Sequence, residues 1–167
     1  FSQHYGGYIE DIVAQIYPEY QKQLKAQNSV DFGDLLYLTV KMLSDKTDVL
    51  TKYQEKFRYI MIDEYQDTNT AQYKFAKLIS EKYKNICVVG DDDQGIYAWR
   101  GADIKNIQSF EKDFDNVTVI KLERNYRSTK NVIEAAVSVI QQNNSRVSKE
   151  LWTAKGRGDE ITVYQAK

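Results

Sequence analysis

The chain has 167 residues, 42% of them hydrophobic, with 23 basic side chains against 24 acidic ones. That content excludes a disordered polymer, and the balanced charge excludes a global positive field for attracting nucleic acid, so such a partner must be met by local placement of side chains. The single cysteine, Cys87, excludes an internal disulfide framework and reads as a small core residue in a reducing compartment. No apolar stretch is long enough to span a bilayer, which gives the expectation of a cytoplasmic protein with no membrane partner.

The chain opens Phe1-Ser2-Gln3-His4, without a methionine or a signal pattern, and reads as a piece excised from something longer. His4, the sole histidine, reads as a solvated terminal residue, since metal ligands come in clusters. Ile9, Ile12, Val13 and Ile16 form a helical stripe ahead of Pro18, so residues 1–30 are expected to be a helical lead-in. Asp31 precedes Phe32, Leu35, Leu36, Thr39 and Leu43, with Asp34 as a first-turn acid, which predicts a helix over 32–44.

Next comes Tyr59-Ile60-Met61-Ile62, an apolar run without polar alternation that stops at Asp63-Glu64. It predicts a strand over 58–63 covered on both faces, as in a parallel sheet between helices. Ligands in such sheets gather at the carboxyl ends of the strands, where Asp63 and Glu64 would sit. One carboxylate can hold a hard cation while its neighbour faces a water; the alternative is an acidic, solvated loop.

Ala71, Phe75, Leu78 and Ile79 give another helical stripe before Ile86-Cys87-Val88-Val89, a second buried strand. Two such strands joined by a helix make a βαβ unit, hence an α/β fold with a parallel sheet. A short helix around Ile104, Ile107 and Phe110 then leads to a predicted third strand, Val117–Ile120. Ser128 is the expected N-cap of a helix carrying Ile133, Ala136, Val137 and Ile140. Residues 141–160 read as loop, and Ile161–Tyr164 as the start of a last strand.

Gly90-Asp91-Asp92-Asp93-Gln94-Gly95 has the outer glycine spacing of a phosphate loop, but Ile96 stands where lysine is needed and three aspartates would repel a triphosphate. No Gly-x4-Gly-Lys-Ser/Thr occurs anywhere in the chain, and Gly156-Arg157-Gly158 is too short to serve. Gln94 can donate to a phosphate oxygen or position a water. Tyr97, Trp99 and Arg100 can form a stacking platform for unpaired bases; the competing role for the two rings is core filling. Tyr126 and Arg127 place a ring for a nucleobase beside a guanidinium for a phosphoryl group, unless the arginine is an ordinary surface cation.

Three stretches, Ile62-Asp63-Glu64-Tyr65-Gln66-Asp67-Thr68-Asn69, Val89–Ala102 and Leu122-Glu123-Arg124-Asn125-Tyr126-Arg127-Ser128-Thr129, resemble in order the consecutive motifs of the UvrD/PcrA/Rep family. These are superfamily 1A DNA helicases that move 3′ to 5′ on single strands. Asp31–Leu36 and Leu151-Trp152-Thr153 resemble the flanking segments, so the likeness covers roughly residues 29–165. Departures are Tyr65 where phenylalanine is common, Gly95 where serine is usual and Ala98 where glycine often stands. Asp93 and Trp99 set the chain nearer the plain helicases than their helicase-nuclease relatives.

The resemblance implies a RecA-like P-loop NTPase fold, incomplete here, with residues 31–115 as the later part of a first ATPase domain and 116–167 as the start of a second. It implies that Asp63 binds Mg²⁺ with Glu64 beside it, that Glu64 activates the attacking water, and that Gln94 senses the γ-phosphate of ATP. Arg127 would contact that phosphate, Tyr126 would stack on adenine, and Tyr97, Trp99 and Arg100 would touch single-stranded DNA and junctions of single and double strand, in repair or replication. The phosphate loop is expected upstream of Phe1, so the chain by itself is expected not to hydrolyse ATP. Two other classes remain: a metal-dependent nuclease or phosphatase using Asp63, Glu64 and Asp91 to Asp93 as a carboxylate cluster, and a non-catalytic DNA-binding module.

Overall fold

The structure is a computed structural model, and it describes residues 7–143 and 149–165. His4 and the rest of the first six residues lie outside the described part, as do 144–148 of the expected loop. In chain order the elements are α1 (Tyr8–Ala26), α2 (Phe32–Asp45), α3 (Thr47–Lys56), β1 (Ile60–Ile62), α4 (Thr70–Ser80), β2 (Ile86–Val88), α5 (Lys105–Gln108), α6 (Phe110–Asp113) and α7 (Lys130–Ile140). They divide into two compact units, one of residues 1–60 with 71–85, the other of 61–70 with 86–167.

The first unit is helical. α1 does not stop at Pro18 but continues to Ala26. Proline lacks one N–H for the ladder, and the good helix formers Gln21, Lys22, Gln23, Leu24 and Lys25 carry the helix past that gap. α2 begins as expected: Asp31 Oδ1 accepts from Asp34 N–H at 2.7 Å, and the Asp34 carboxylate accepts from Asp31 N–H in return. α3 is an element that its polar composition conceals, since only Val49, Leu50, Tyr53 and Gln54 of its residues turn inward. Leu43, Ala76 and Ile79 form the buried centre, and Gln54 Nε2 donates to the Leu78 carbonyl at 2.8 Å. An amide buried there needs that acceptor.

The second unit holds the sheet. Ile60 N–H donates to the Asn85 carbonyl, Val89 N–H to the Ile62 carbonyl and Tyr65 N–H to the Val89 carbonyl, so the bonded positions advance in the same direction along both strands, which are parallel. The expected coverage on both faces is not found. Ile62, Ile86 and Val88 are half-buried, while Met61 is 78% exposed and Cys87 is exposed too. Successive strand residues face opposite sides, and the described residues cover only one of them, so Cys87 is not a core residue.

Val117–Ile120 and Ile161–Tyr164 also differ from expectation: neither is a strand among the described residues. Extended chain becomes a strand only through a neighbour's backbone groups. Here Val119, Ile120, Val163 and Tyr164 lie open, and among the described residues the bridge formed in this region is a parallel one between Arg124 and Trp152. Nor does Ser128 cap α7. Thr129 is the N-cap, without a side-chain bond, and Ser128 belongs instead to the preceding side-chain turn, in which Asn125 Oδ1 accepts from both Arg127 N–H and Ser128 N–H.

The core of this unit is partly polar. Tyr65 is fully enclosed and meets Phe110 edge to face at 5.6 Å, and Phe110 stacks on Phe114 at 4.4 Å. Thr68 Oγ1 donates to the Tyr65 carbonyl, and Asn106 Nδ2 donates to the Thr68 carbonyl at 2.9 Å. The loop leaving β1 is thereby tied down on the residues before α5.

Candidate functional site

The turn off β1 begins with Glu64 in the left-handed region, φ 52° and ψ 42°. A side chain rarely accepts that backbone, and where it persists the surroundings must enforce it. Enforcement comes from Gln66, only 1% exposed. Its Nε2 donates to Glu64 Oε2 at 2.7 Å while its Oε1 accepts from Asp91 N–H at 3.0 Å. Asp91 Oδ2 in turn accepts from Gln94 Nε2 at 2.7 Å, and Asp91 Oδ1 from Asp93 N–H at 3.1 Å. Asp63 Oδ1 accepts from Glu64 N–H at 2.9 Å.

Asp63, Glu64 and Gln94 therefore belong to one continuous polar chain at the carboxyl ends of the two strands. Asp63, Glu64 and Gln94 are exposed; the residues that connect them are not. Gly90 makes the close approach feasible, because a Cβ there would lie 2.6 Å from Gln66 Oε1 and 2.8 Å from Ile107 Cδ1. At Gly95 a Cβ would meet Ile104 Cδ1 at 2.7 Å, so the missing side chain leaves its space to Ile104.

The three aspartates do not stand as a bare acidic cluster. The Lys149 ammonium contacts all three, bonding to Asp91, to Asp92 Oδ1 at 2.8 Å and lying 3.4 Å from Asp93 Oδ2. Burial alone would raise the Asp91 carboxyl, but bonds from Lys149, Gln94 and the Asp93 N–H outweigh it and hold the carboxyl below its usual range. For Lys149, burial favours the neutral amine, yet the bonds to Asp91 and Asp92 raise it above an ordinary lysine. Lys149 supplies locally the positive charge that a carboxylate cluster would otherwise draw from a metal ion.

Tyr97, Trp99 and Arg100 form a group of their own. The ring centroids are 6.4 Å apart, and the guanidinium lies 5.2 Å from the tyrosine ring and 4.5 Å from the indole. Trp99 is 73% exposed, so the core-filling role for it is not found. A cation on aromatic faces is attracted by their quadrupoles, which gives an open surface of two rings inclined at 52° with a guanidinium against both. Thr68 and the following Asn69 join this loop to the acid turn, through a bond from Asp103 N–H to the Thr68 carbonyl and an antiparallel bridge between Asn69 and Ala102.

Tyr126 and Arg127 are exposed on the turn made by Asn125. The Arg124 guanidinium lies between two rings, 4.7 Å from Tyr126 and 5.1 Å from Trp152. The Trp152 carbonyl accepts from Asn125 N–H at 2.7 Å, and Trp152 N–H donates to the Glu123 carbonyl. Among the described contacts none joins Tyr126 or Arg127 directly to Asp63, Glu64 or Gln94. Sequence reasoning missed Gln66, Asp91, Arg124 and Lys149 as organisers of the site. Gln66 and Asp91 stand inside the motif stretches, whereas nothing in the sequence singles out Lys149.

Comparison with known proteins agrees with these stretches. The family model for the UvrD/REP helicase N-terminal domain matches residues 3–115, and that for the UvrD-like helicase C-terminal domain matches 120–167. The chain is 52% identical over 165 residues to the ATP-dependent DNA helicase PcrA of Bacillus subtilis, covering 99% of this chain and 22% of that protein. It is 51% identical over 159 residues to PcrA of Leuconostoc citreum, covering 95% and 21%, and 52% identical over 159 residues to PcrA of Staphylococcus aureus, covering 95% and 22%. The chain thus spans about a fifth of the length of the curated relatives it matches. With motif stretches in family order, a polar rim built from two of them and family models matching on both sides of residue 118, the chain belongs to the UvrD/Rep helicase family.

Proposed function

We propose that this chain is part of an ATP-dependent DNA helicase that translocates 3′ to 5′ on single-stranded DNA, acting at junctions of single and double strand in repair or replication. The observation that carries the reading is the bonded chain Glu64–Gln66–Asp91–Gln94, which sets a carboxylate and an amide on one rim directly ahead of an open aromatic platform. Residues 31–115 are assigned to the later part of a first RecA-like domain and 116–167 to the start of a second.

Glu64 is the general base, taking a proton from the water that attacks the γ-phosphate of ATP, and Gln66 holds its carboxylate in place. Exposed hard oxygens at Asp63 and Glu64 fit Mg²⁺, which takes oxygen ligands. When bound, the ion neutralises charge on the phosphates. Gln94 donates to the γ-phosphate, Arg127 contacts the same group and Tyr126 stacks on adenine. Tyr97, Trp99 and Arg100 bear the unpaired bases. A shift of Gln94 as phosphate is lost passes along the same short loop to Tyr97 and Trp99, coupling hydrolysis to a step along the strand.

These 167 residues contain no phosphate loop and its lysine, so the isolated chain is expected to turn over ATP negligibly. The nuclease alternative is disfavoured by Lys149, whose ammonium already takes the place among Asp91, Asp92 and Asp93 that a metal ion would need. In the full-length protein Glu64→Gln is expected to keep nucleotide binding and lower DNA-stimulated turnover by roughly 10² to 10⁴. Turnover near wild type in that variant would remove Glu64 from the role of base.

A further inference from the structure

One short segment touches both halves of the candidate site. Lys149 reaches the aspartates beside Gln94, Glu150 N–H donates to Glu123 Oε1 at 2.9 Å, and Trp152 brackets Arg124 through backbone bonds to Glu123 and Asn125 while its ring lies near the Arg124 guanidinium. Thr153 Oγ1 completes the set by donating to the Ser128 carbonyl at 3.1 Å. The turn carrying Tyr126 and Arg127 and the loop carrying Gln94, which share no direct contact among those described, are therefore joined through residues 149–153.

We infer that Lys149 is a positioning residue for Gln94, acting through Asp91, and that residues 149–153 form a strap tying the Gln94 loop to the Tyr126–Arg127 turn. The geometry leaves Asp91 Oδ2 with a defined task. It accepts the Gln94 amide at 2.7 Å, which fixes which face of that amide is left for a ligand. The Lys149 side chain is 17% exposed, so its ammonium is held against the loop rather than waving in solvent, and it offsets three carboxylates that would otherwise repel one another and an approaching phosphate. A lysine has three donors and no acceptor, which suits three acceptor side chains converging from one turn. Without it Asp91 would be free to turn from Gln94 towards water, and the amide would lose its only described side-chain partner.

The role of Gln94 rests on the proposed ATPase reading; the strap itself does not, and two measurements separate them. In the 167-residue chain, Lys149→Met is expected to shift the Gln94 side-chain amide resonances towards those of a solvated glutamine, while Lys149→Arg restores most of the original positions. Unchanged Gln94 resonances in Lys149→Met would overturn the inference, as would a failure of arginine to restore them while the remaining spectrum stays native. In the full-length protein, steady-state ATP hydrolysis with saturating oligothymidylate is measured for Lys149→Met, Gln94→Ala and the double variant. Lys149→Met is expected to lower kcat about tenfold with little change in KM, as misplacement of a catalytic group does. In the Gln94→Ala background it should add no further loss. Multiplicative losses would show that Lys149 acts independently of Gln94 and sink the proposal, whereas wild-type turnover in Gln94→Ala would count against the ATPase role of Gln94 and leave the strap to be decided by the resonances.

Discussion

The acid rim, drawn from the turns after β1 and β2, and the aromatic platform further along the loop after β2 are built on opposite principles. At the rim the exposed carboxylates are held from beneath by a buried amide, Gln66, whose donor and acceptor are both used. On the platform Trp99 stands open, supported by a guanidinium stacked on it and on Tyr97. Hydrogen bonds are directional and costly to leave unmade, so the rim has one geometry and suits chemistry that needs atoms in fixed places. Stacking tolerates sliding and rotation, so the platform suits a ligand that must be gripped and released whatever its sequence.

The contrast is broken hardest at Gln66. Gln66→Leu leaves Asp91 N–H without its acceptor and Glu64 Oε2 without its donor, and is expected to destabilise the chain by about 1–3 kcal/mol, measured by urea unfolding. A midpoint equal to wild type would mean the buried amide is not what holds the turn. Trp99→Ala acts the other way round. It should weaken binding of an oligothymidylate by about 1–3 kcal/mol in the full-length protein while the unfolding midpoint stays put. A large fall in stability with unchanged DNA affinity would make Trp99 a packing residue after all.

The smallest effect sharpens the rim's electrostatics. Asp91 titrates below an ordinary aspartate in the folded chain, so its contribution is full above the unfolded value, about 3.9, and is lost as pH falls through the lower folded value. Lys149 titrates above an ordinary lysine, so its contribution is full below the unfolded value, about 10.4, and is lost only as pH rises past the higher folded value. Stability should therefore stay level through neutral pH and drop on acidification, with a smaller drop in Lys149→Met. An acid limb of equal depth in that variant would show the pair to be energetically silent.

Much of the local structure follows from sequence pattern. Asp31 with Asp34 marks the start of α2, the apolar run ending at Asp63 marks β1, and the spacing of Ala71, Phe75, Leu78 and Ile79 marks α4. α3 escapes notice because its inward positions are few and its surface is charged. Val117–Ile120 misleads for the opposite reason. β-branched residues suit a pleated, half-buried surface, but no neighbour among the described residues supplies the backbone groups to pair with them.

The sequence by itself determined the family, the order of the motif stretches and the residue types that carry the proposed chemistry, because those are properties of adjacent residues and their spacing. Tertiary structure alone decided that Gln66 binds Glu64 to Asp91, that Arg124 lies between Tyr126 and Trp152, and that Lys149 meets three aspartates. Partners separated by 25 residues or more, such as Gln66 and Asp91 or Lys149 and Asp92, leave no periodicity to detect. Which polar groups satisfy one another is set only when burial removes water as the alternative partner.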